Sequence, residues 1–318
     1  MTVSSVKTGY DGVSFLAGNV FFVPLTRGIF AGGDGPTNPV NTIEYINITT
    51  TGNATDFGDL SQSRASFAAC SSSTRGLFMG GYIMPSYVDQ NTIDYITIAS
   101  TGNATDFGDL NINVEGNGGF SSETRGISVG GYTGSANNTI DYVTIASVGN
   151  ATDFGDLTVA RYAVSGCSST TRGLAFGGFF GTNVIDYVTI ATTGNATDFG
   201  DPTVERADSA SCSSSTRGLM MGGFFSTGQT YYNIIDYVTI ATTGNATDFG
   251  DLDATRATGS ACSSKITGVF AGGQNASGKV NVLQYVTIAT TGNATDFGDL
   301  SSTRIYMGGV SNVHGGLA

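Results

Sequence analysis

Histidine is nearly absent from this sequence, because His314 is the only one among 318 residues. That count excludes a histidine-rich metal site and argues against a Ser-His-Asp triad. We expect His314 itself to be a surface residue near the end of the chain. The sequence therefore predicts a protein that is not an enzyme, with no cofactor and no bound metal.

Positive charge is also scarce, since 13 Lys and Arg residues accompany 25 Asp and Glu residues and give a net charge of −12. Nucleic acids and anionic membranes both require a basic surface, so we expect neither as a partner. No apolar run reaches the roughly 18 residues that cross a bilayer, which predicts no membrane insertion. The first 25 residues also make a poor secretory signal.

Only four cysteines are present, and each follows an arginine by six residues in the same repeat context: Cys70, Cys167, Cys212 and Cys262. Equivalent positions of a repeat point in equivalent directions, which does not bring two thiols into bonding geometry. We expect small buried thiols in inner strands rather than disulfides.

Most of the chain consists of one repeat, TIDYVTIATTGNATDFGDL, which occurs six times complete or nearly so. Its NATDFGD core places an aspartate at Asp56, Asp106, Asp153, Asp198, Asp248 and Asp296, at intervals of 45 to 50 residues. A period of this length, rich in β-forming residues, glycine and hairpin turns, is typical of a β-propeller blade.

Each repeat predicts four antiparallel strands. In the second repeat these are RASFAACSS, LFMGG, TIDYITI and ATDFGDL, separated by SSSTRG, a variable loop and a TGN turn. Apolar residues occur on both faces of TIDYITI, as expected for a sheet packed between two neighbours. The fold class is therefore all-β, a propeller of four-stranded antiparallel blades.

The number of third and fourth strands predicts six blades, because TIDY-type and DFGD strands each occur six times. A seventh blade, suggested by seven glycine pairs, is the weaker alternative. Pairing of N- and C-terminal strands would close the ring and remove an exposed sheet edge. Either the C-terminal segment around Arg304 or residues 13–23 could supply the closing strand. We expect residues 1–12 to form an N-terminal arm and residues 13–318 a single β-propeller domain.

The glycine pair, the tyrosine about a dozen residues later and the aromatic residue beyond it resemble the kelch repeat. Kelch blades place Trp where this chain has Phe57, Phe107, Phe154, Phe199, Phe249 and Phe297. We expect these phenylalanines to wedge between blades. The nearby aspartates, such as Asp56 or Asp59, are expected to hold turns or to pair with the arginine of the TRG turns, for example Arg75.

The two faces of the predicted disc differ in sequence. One face carries the nearly identical SSSTRG and TTGN turns, whereas the other carries loops of different length and content. Repeat proteins usually bind partners where their repeats differ, although drift in unconstrained loops explains the same pattern. Aromatic residues concentrate in these loops and are the predicted ligand-binding residues: Tyr82, Tyr87, Tyr132, Phe179, Phe180, Phe224, Phe225, Tyr231 and Tyr232.

Arginines of the blade-to-blade connectors are a second candidate site, at the channel mouth: Arg64, Arg161, Arg206, Arg256 and Arg304, with Glu115 in the remaining position. The kelch resemblance implies that such arginines could grip an acidic peptide. The structural alternative is that each one bonds to backbone or to a carboxylate between blades.

The TGNATDFGDL repeats are similar to those of virion-associated proteins of marine tailed phages. This resemblance implies a non-enzymatic virion protein of a tail, fibre or capsid, located in the particle. Its partners would be other virion proteins or a host surface glycan or protein, with self-association within the particle as a further expectation. The alternatives are a secreted or cell-surface lectin-like propeller and a kelch-type adaptor for acidic peptides.

Overall fold

The computed structural model describes residues 13–16, 19–22, 26–179 and 183–317. Within these ranges every regular element is a β-strand. Six four-stranded antiparallel sheets are arranged around a central axis, so the predicted six-bladed β-propeller is confirmed. In each blade the first strand lies at the axis and contacts the first strands of both neighbouring blades.

The strands of the blades follow the repeat. Blade 1 contains Gly308–Ser311, Arg27–Ala31, Thr42–Asn47 and Thr55–Asp59, and blade 2 contains Ala68–Ser71, Arg75–Met79, Thr92–Thr97 and Thr105–Asp109. Blade 3 contains Gly118–Ser121, Arg125–Val129, Thr139–Thr144 and Thr152–Asp156, and blade 4 contains Ser165–Ser168, Arg172–Phe176, Ile185–Thr189 and Thr197–Gly200. Blade 5 contains Ala210–Ser213, Arg217–Met221, Ile234–Thr239 and Thr247–Asp251, and blade 6 contains Ser260–Ser263, Thr267–Ala271, Val282–Thr287 and Thr295–Asp299.

The C-terminal segment closes the ring. Gly308–Ser311 pairs antiparallel with Arg27–Ala31, with Val310 opposite Ile29, and so provides the first strand of blade 1. Of the two segments that could have closed the ring, the C-terminal one forms this pairing. Strands Val13–Leu16 and Asn19–Phe22 pair with each other instead. The expected arm of residues 1–12 lies outside the described residues.

Two rings of hydrogen bonds surround the axis. On the side of the constant turns, one serine per blade donates its hydroxyl to the backbone carbonyl of the corresponding serine in an adjacent blade, at 2.5 to 2.8 Å. The members are Ser71, Ser121, Ser168, Ser213, Ser263 and Ser311. Because every donor finds an acceptor in an adjacent blade, the serine ring joins all six inner strands, including the one from the C-terminus.

The second ring lies at the opposite end of the inner strands, on the side of the variable loops. Six residues with φ between 53° and 62° donate their backbone N–H to the carbonyl of the equivalent residue in the preceding blade, at 2.7 to 3.1 Å. They are Ser66, Gly116, Ala163, Asp208, Thr258 and Tyr306. The left-handed conformation turns each N–H towards its neighbour, and only one of the six positions is glycine, so the closed ring offsets the strain of the other five.

The repeated DFGD segment joins neighbouring blades, as expected for a structural motif. Phe107 is 2% exposed and packs with Val143 and Ile145 of the next blade, which confirms the predicted wedge. The TGN turn of one blade also donates backbone hydrogen bonds to the fourth strand of the blade before it, at 2.7 to 2.8 Å. Gly58 permits this approach, because a Cβ there would lie 2.5 Å from the Gly102 carbonyl oxygen.

The expected pairing of TRG arginines with aspartates is wrong. The Arg75 guanidinium lies over the Tyr95 ring at 4.8 Å and donates to the Ile145 carbonyl of the next blade at 2.9 Å. Arg27, Arg125, Arg172 and Arg217 make the corresponding contacts. Each arginine therefore joins two blades through a backbone carbonyl, an acceptor that charge pairing along the sequence does not reveal.

Two further expectations concern residues at the axis. The four cysteines are buried free thiols, as predicted. The expectation of a surface His314 is wrong, because its side chain is half-buried and its Nε2 lies 2.9 Å from the Ser71 carbonyl oxygen. The segment after it runs across the serine ring, and Gly315 donates its N–H to the Ser213 carbonyl. The C-terminal residues thus cover the constant-side end of the channel.

Candidate functional site

The variable face is built on the loops between the second and third strands. Three of these loops form short hairpins, which pair Tyr82–Ile83 with Val88–Asp89, Phe224–Phe225 with Thr230–Tyr231, and Gln274–Asn275 with Gly278–Lys279. Each loop starts at the glycine pair, where positive φ lets the chain turn against the next connector. A Cβ at Gly80 would lie 2.7 Å from the Val114 carbonyl oxygen of that connector. The inner scaffold therefore fixes where the loop begins and leaves its content free.

The predicted aromatic residues form separate groups on this face. Tyr82 is buried and stacks on the 55% exposed Tyr87 at 4.5 Å. Tyr132 lies 5.3 Å from Tyr162, a connector residue that the sequence analysis missed, and Tyr162 lies 5.0 Å from Phe179. These half-buried rings form a continuous row across blades 3 and 4.

Blade 5 carries the remaining predicted aromatic residues. The Phe224 and Tyr231 rings are 4.9 Å apart, and Phe225 and Tyr232 are half-buried beside them. Phe180 lies outside the described residues. The predicted residues are thus divided among blades 2 to 5 rather than gathered into one patch.

A groove of about 370 Å³ runs between blades 4 and 5. Blade 4 contributes Tyr162 and Phe179, and blade 5 contributes Phe224 and Phe225. Its other lining residues are Gly178, Glu205, Arg206, Ala207, Ser226 and Thr227. Aromatic walls with a few polar groups at the edge are the usual composition of a small-molecule site, and this volume lies within the usual range of about 300–1,000 Å³.

The five connector arginines are in the interior. Arg64, Arg161, Arg206, Arg256 and Arg304 are each at most 3% exposed. Buried ion pairs join Arg64 to Asp94, Arg161 to Asp186, Arg206 to Asp236 and Arg304 to Glu44. Arg256 pairs with Asp253. They occupy the positions that the structural alternative assigned to them, and their guanidinium groups are not presented at the channel mouth.

The expected place of Glu115 is wrong by one residue. Bridge pairing puts Glu115 opposite Tyr132, as Ala65 lies opposite Tyr82, so Glu115 corresponds to the residue after the arginine. Val114, which is 3% exposed, fills the arginine position of blade 3. The charge pattern of the connectors suggested a substitution of Arg by Glu, whereas the strand register shows a substitution by Val.

The channel mouth on the variable face is acidic instead of basic. The carboxylates of Glu115 and Asp208 lie close enough for the charge of one to act on the other. The Tyr87 hydroxyl donates to the two Glu115 oxygens, at 2.8 and 2.9 Å. Burial raises the pKa of Glu115. Burial, and secondarily the charge of Glu115, raises the pKa of Asp208 to about 7. An acidic peptide would meet like charges here, which disfavours the acidic-peptide alternative.

Sequence reasoning missed Tyr162, Asp208 and Tyr306, which lie in the connectors rather than in the variable loops. The charge of Asp208 is the main cause that raises the pKa of Tyr306. A signal was present, because the two positions after the connector arginine differ between repeats, with Tyr162 at the first of them and Asp208 and Tyr306 at the second. Connectors and variable loops share one face, so this variation marks the same surface.

The described part of the chain contains no group of three or more His, Cys, Asp or Glu residues arranged to hold a metal ion. Within the same ranges no helix is long and apolar enough to cross a membrane. No family model matches the sequence, and no curated protein is significantly similar to it. The kelch and phage resemblances therefore stay interpretations of the repeat, and the propeller fold itself suggests protein or glycan binding in general.

Proposed function

We propose that this chain is a non-enzymatic recognition propeller of a virus particle. In this role the variable face binds a host surface or another virion protein, and the constant turns and blade contacts serve the scaffold. The observation that carries the proposal is the concentration of half-buried and exposed aromatic side chains on the face whose loops differ. Aromatic residues bury large areas with few rotamers to restrict, which suits them to recognition.

The role in a particle is supported by composition and repeat content rather than by a single contact. The low charged fraction of 12% and the TGNATDFGDL repeats fit a particle-borne protein. The absence of catalysis is supported by the environment of the only histidine, whose ring nitrogens face backbone groups of Ser71 and Gly316. The Ser121 hydroxyl lies 3.5 Å from Nε2 but donates its proton to the Ser71 carbonyl at 2.7 Å.

Two measurements test the proposal. Mass spectrometry of purified particles should detect the protein, and antibody labelling in electron micrographs should place it on a tail, fibre or capsid. Labelled purified protein should bind either host cells or another isolated virion component. Absence from the particles would contradict the virion role, and failure to bind both host cells and particle proteins would contradict the recognition role.

A secreted or cell-surface lectin-like propeller is the second candidate, and the groove between blades 4 and 5 favours it. Detection of the protein on producing cells or in their medium, but not in particles, would select this candidate.

A further inference from the structure

We propose that the groove between blades 4 and 5 binds a neutral saccharide. This inference depends on the proposed recognition role and names the ligand class and the subsite. Tyr162 and Phe179 line the groove from blade 4, while Phe224 and Phe225 line it from blade 5. A ligand in the groove would contact aromatic rings of both blades.

The backbone holds these side chains in place. Phe179 donates its N–H to the Tyr162 carbonyl at 2.9 Å, which joins the loop of blade 4 to its connector. In blade 5, Phe224 and Ala207 exchange two backbone hydrogen bonds, at 2.8 and 2.9 Å, which join the loop of that blade to its connector. Because loop and connector are paired in both blades, the groove is preformed and its occupation requires little ordering.

The chemistry of the lining matches the two surfaces of a sugar ring. A pyranose has C–H faces that pack on aromatic rings and an edge of hydroxyl groups that need hydrogen-bond partners. Glu205 places a carboxylate in the lining, and Ser226 and Thr227 place hydroxyl groups there. A carboxylate accepts strong hydrogen bonds from hydroxyl donors, and the serine and threonine hydroxyls can donate or accept.

The charges around the groove select a neutral sugar. Arg206 is the one cation among the described residues that line the groove, but it is 1% exposed, lies 2.9 Å from Asp236 and donates to the Gly222 carbonyl. Glu205 lies in the same lining, and Asp208 follows two residues after Arg206. A sialic acid, uronic acid or sulfated sugar would therefore meet negative charge without a free cation.

Corresponding positions in other blades lack this combination. In blade 6 the pair equivalent to Tyr162 and Phe179 is Ala257 and Gln274, and in blade 2 it is Ala65 and Tyr82. Tyr82 already stacks on Tyr87 within its own loop. Among the described residues, the groove between blades 4 and 5 is lined by two aromatic side chains from each of two neighbouring blades, and Tyr132 of blade 3 contacts Tyr162 without lining it.

The experiment uses the full chain on an array that contains neutral, sialylated and sulfated glycans, followed by titration calorimetry with the neutral oligosaccharide that gives the strongest signal. Phe225→Ala should weaken binding by about tenfold or more, which is the effect expected when one aromatic anchor is lost. Glu205→Gln should weaken it as well. Ile266→Ala is the control, because Ile266 is an exposed apolar side chain in a constant turn outside the groove, and the affinity of this variant should equal that of the wild type.

Several outcomes separate this inference from the proposed function. Binding restricted to anionic glycans, or neutral binding that Phe225→Ala leaves unchanged, would overturn the saccharide groove. If the wild type binds host cells or a virion protein but no glycan, the saccharide inference fails and the recognition role stands. If glycan binding needs Phe225 but the protein is absent from particles, the saccharide groove stands and the virion role fails. Equal urea midpoints of the variants would show that all of them fold.

Discussion

The connector position of blades 2 and 3 allows a matched pair of substitutions that tests how the blades are held. In blade 2, Arg64 and Asp94 form an ion pair at 3.0 Å with both side chains fully buried. In blade 3, Val114 takes the arginine position, and Asp141 is 4% exposed with Asn111 as its partner. The same carboxylate position is thus paired with a cation in one blade and not in the other.

Asp94→Asn should be strongly destabilising. Removal of one partner of a buried ion pair costs about 3–5 kcal/mol, because the other charge stays buried without compensation. The Arg64 guanidinium would keep its hydrogen bonds to the carbonyl oxygens of Gly80, Thr92 and Phe78, at 2.6 to 2.8 Å. We therefore expect the lower end of the range, about 3 kcal/mol of lost unfolding free energy.

Asp141→Asn should have the opposite sign at neutral pH. Burial raises the pKa of Asp141, which means that the folded state holds its proton more tightly than the unfolded state. The carboxyl group therefore favours folding at low pH, and this contribution is lost as the pH rises through the folded-state pKa. A neutral amide avoids the burial of charge, so we expect a gain in unfolding free energy at pH 7 that vanishes below the ordinary aspartate pKa of about 4.

Urea unfolding at pH 7 and at about pH 3, followed by circular dichroism, measures both variants against the wild type. The reasoning predicts a lower midpoint for Asp94→Asn and a higher midpoint for Asp141→Asn at pH 7. Equal losses for the two variants would refute it, because the cation in blade 2 would then make no difference to the carboxylate position.

Three further changes test the closure of the ring and the mouth, each by the urea midpoint. Gly58→Ala places a methyl group against the next blade's turn at a φ of 147°, so we expect a loss of about 2 kcal/mol; an unchanged midpoint would contradict the close approach. Arg75→Ala removes the bond to the Ile145 carbonyl and the ring contact, with an expected loss of about 1–2 kcal/mol, whereas Thr267→Ala at the equivalent position of blade 6 should lose less. Asp208, whose pKa is raised to about 7, stabilises the fold at low pH, and this contribution is lost as the pH rises. Asp208→Asn should therefore gain about 1–3 kcal/mol of unfolding free energy near pH 8 and nothing near pH 3. An equal gain at both pH values would refute the raised pKa.

The blade architecture could be predicted from the sequence because it depends on short-range signals. The TIDY strand, the TGN turn and the DFGD strand repeat with their spacing, and antiparallel pairing follows directly from that order. The buried position of Phe107 could also be predicted, since a large aromatic residue repeated in every blade has to pack against something.

Contacts between blades could not be predicted in the same way. Arg75 reaches a carbonyl 70 residues along the chain, and no charge at that position marks the acceptor. An alignment of the connectors by charge puts Glu115 in the arginine position. The strand register puts it one residue later, and only the pairing of Glu115 with Tyr132 reveals that register. Tyr162 belongs to the groove through its contact with Phe179, and its sequence neighbours do not indicate that contact.

The distribution of charge gives the groove its selectivity. Ten of the 13 basic residues are arginines, and all ten occupy structural positions. Five form ion pairs in the connectors, and the other five lie over tyrosine rings and join neighbouring blades. Within the repeat, Asp56 and its equivalents are exposed, Asp59 and its equivalents are half-buried, and Asp94 and its equivalents are buried. Among the described residues, six buried arginines and five buried carboxylates nearly cancel, so the outer surface carries essentially the whole formal charge of −12. In the proposed groove, the arginine among the described lining residues is already paired. A neutral ligand held there by aromatic rings and hydroxyl groups requires the least desolvation of charge.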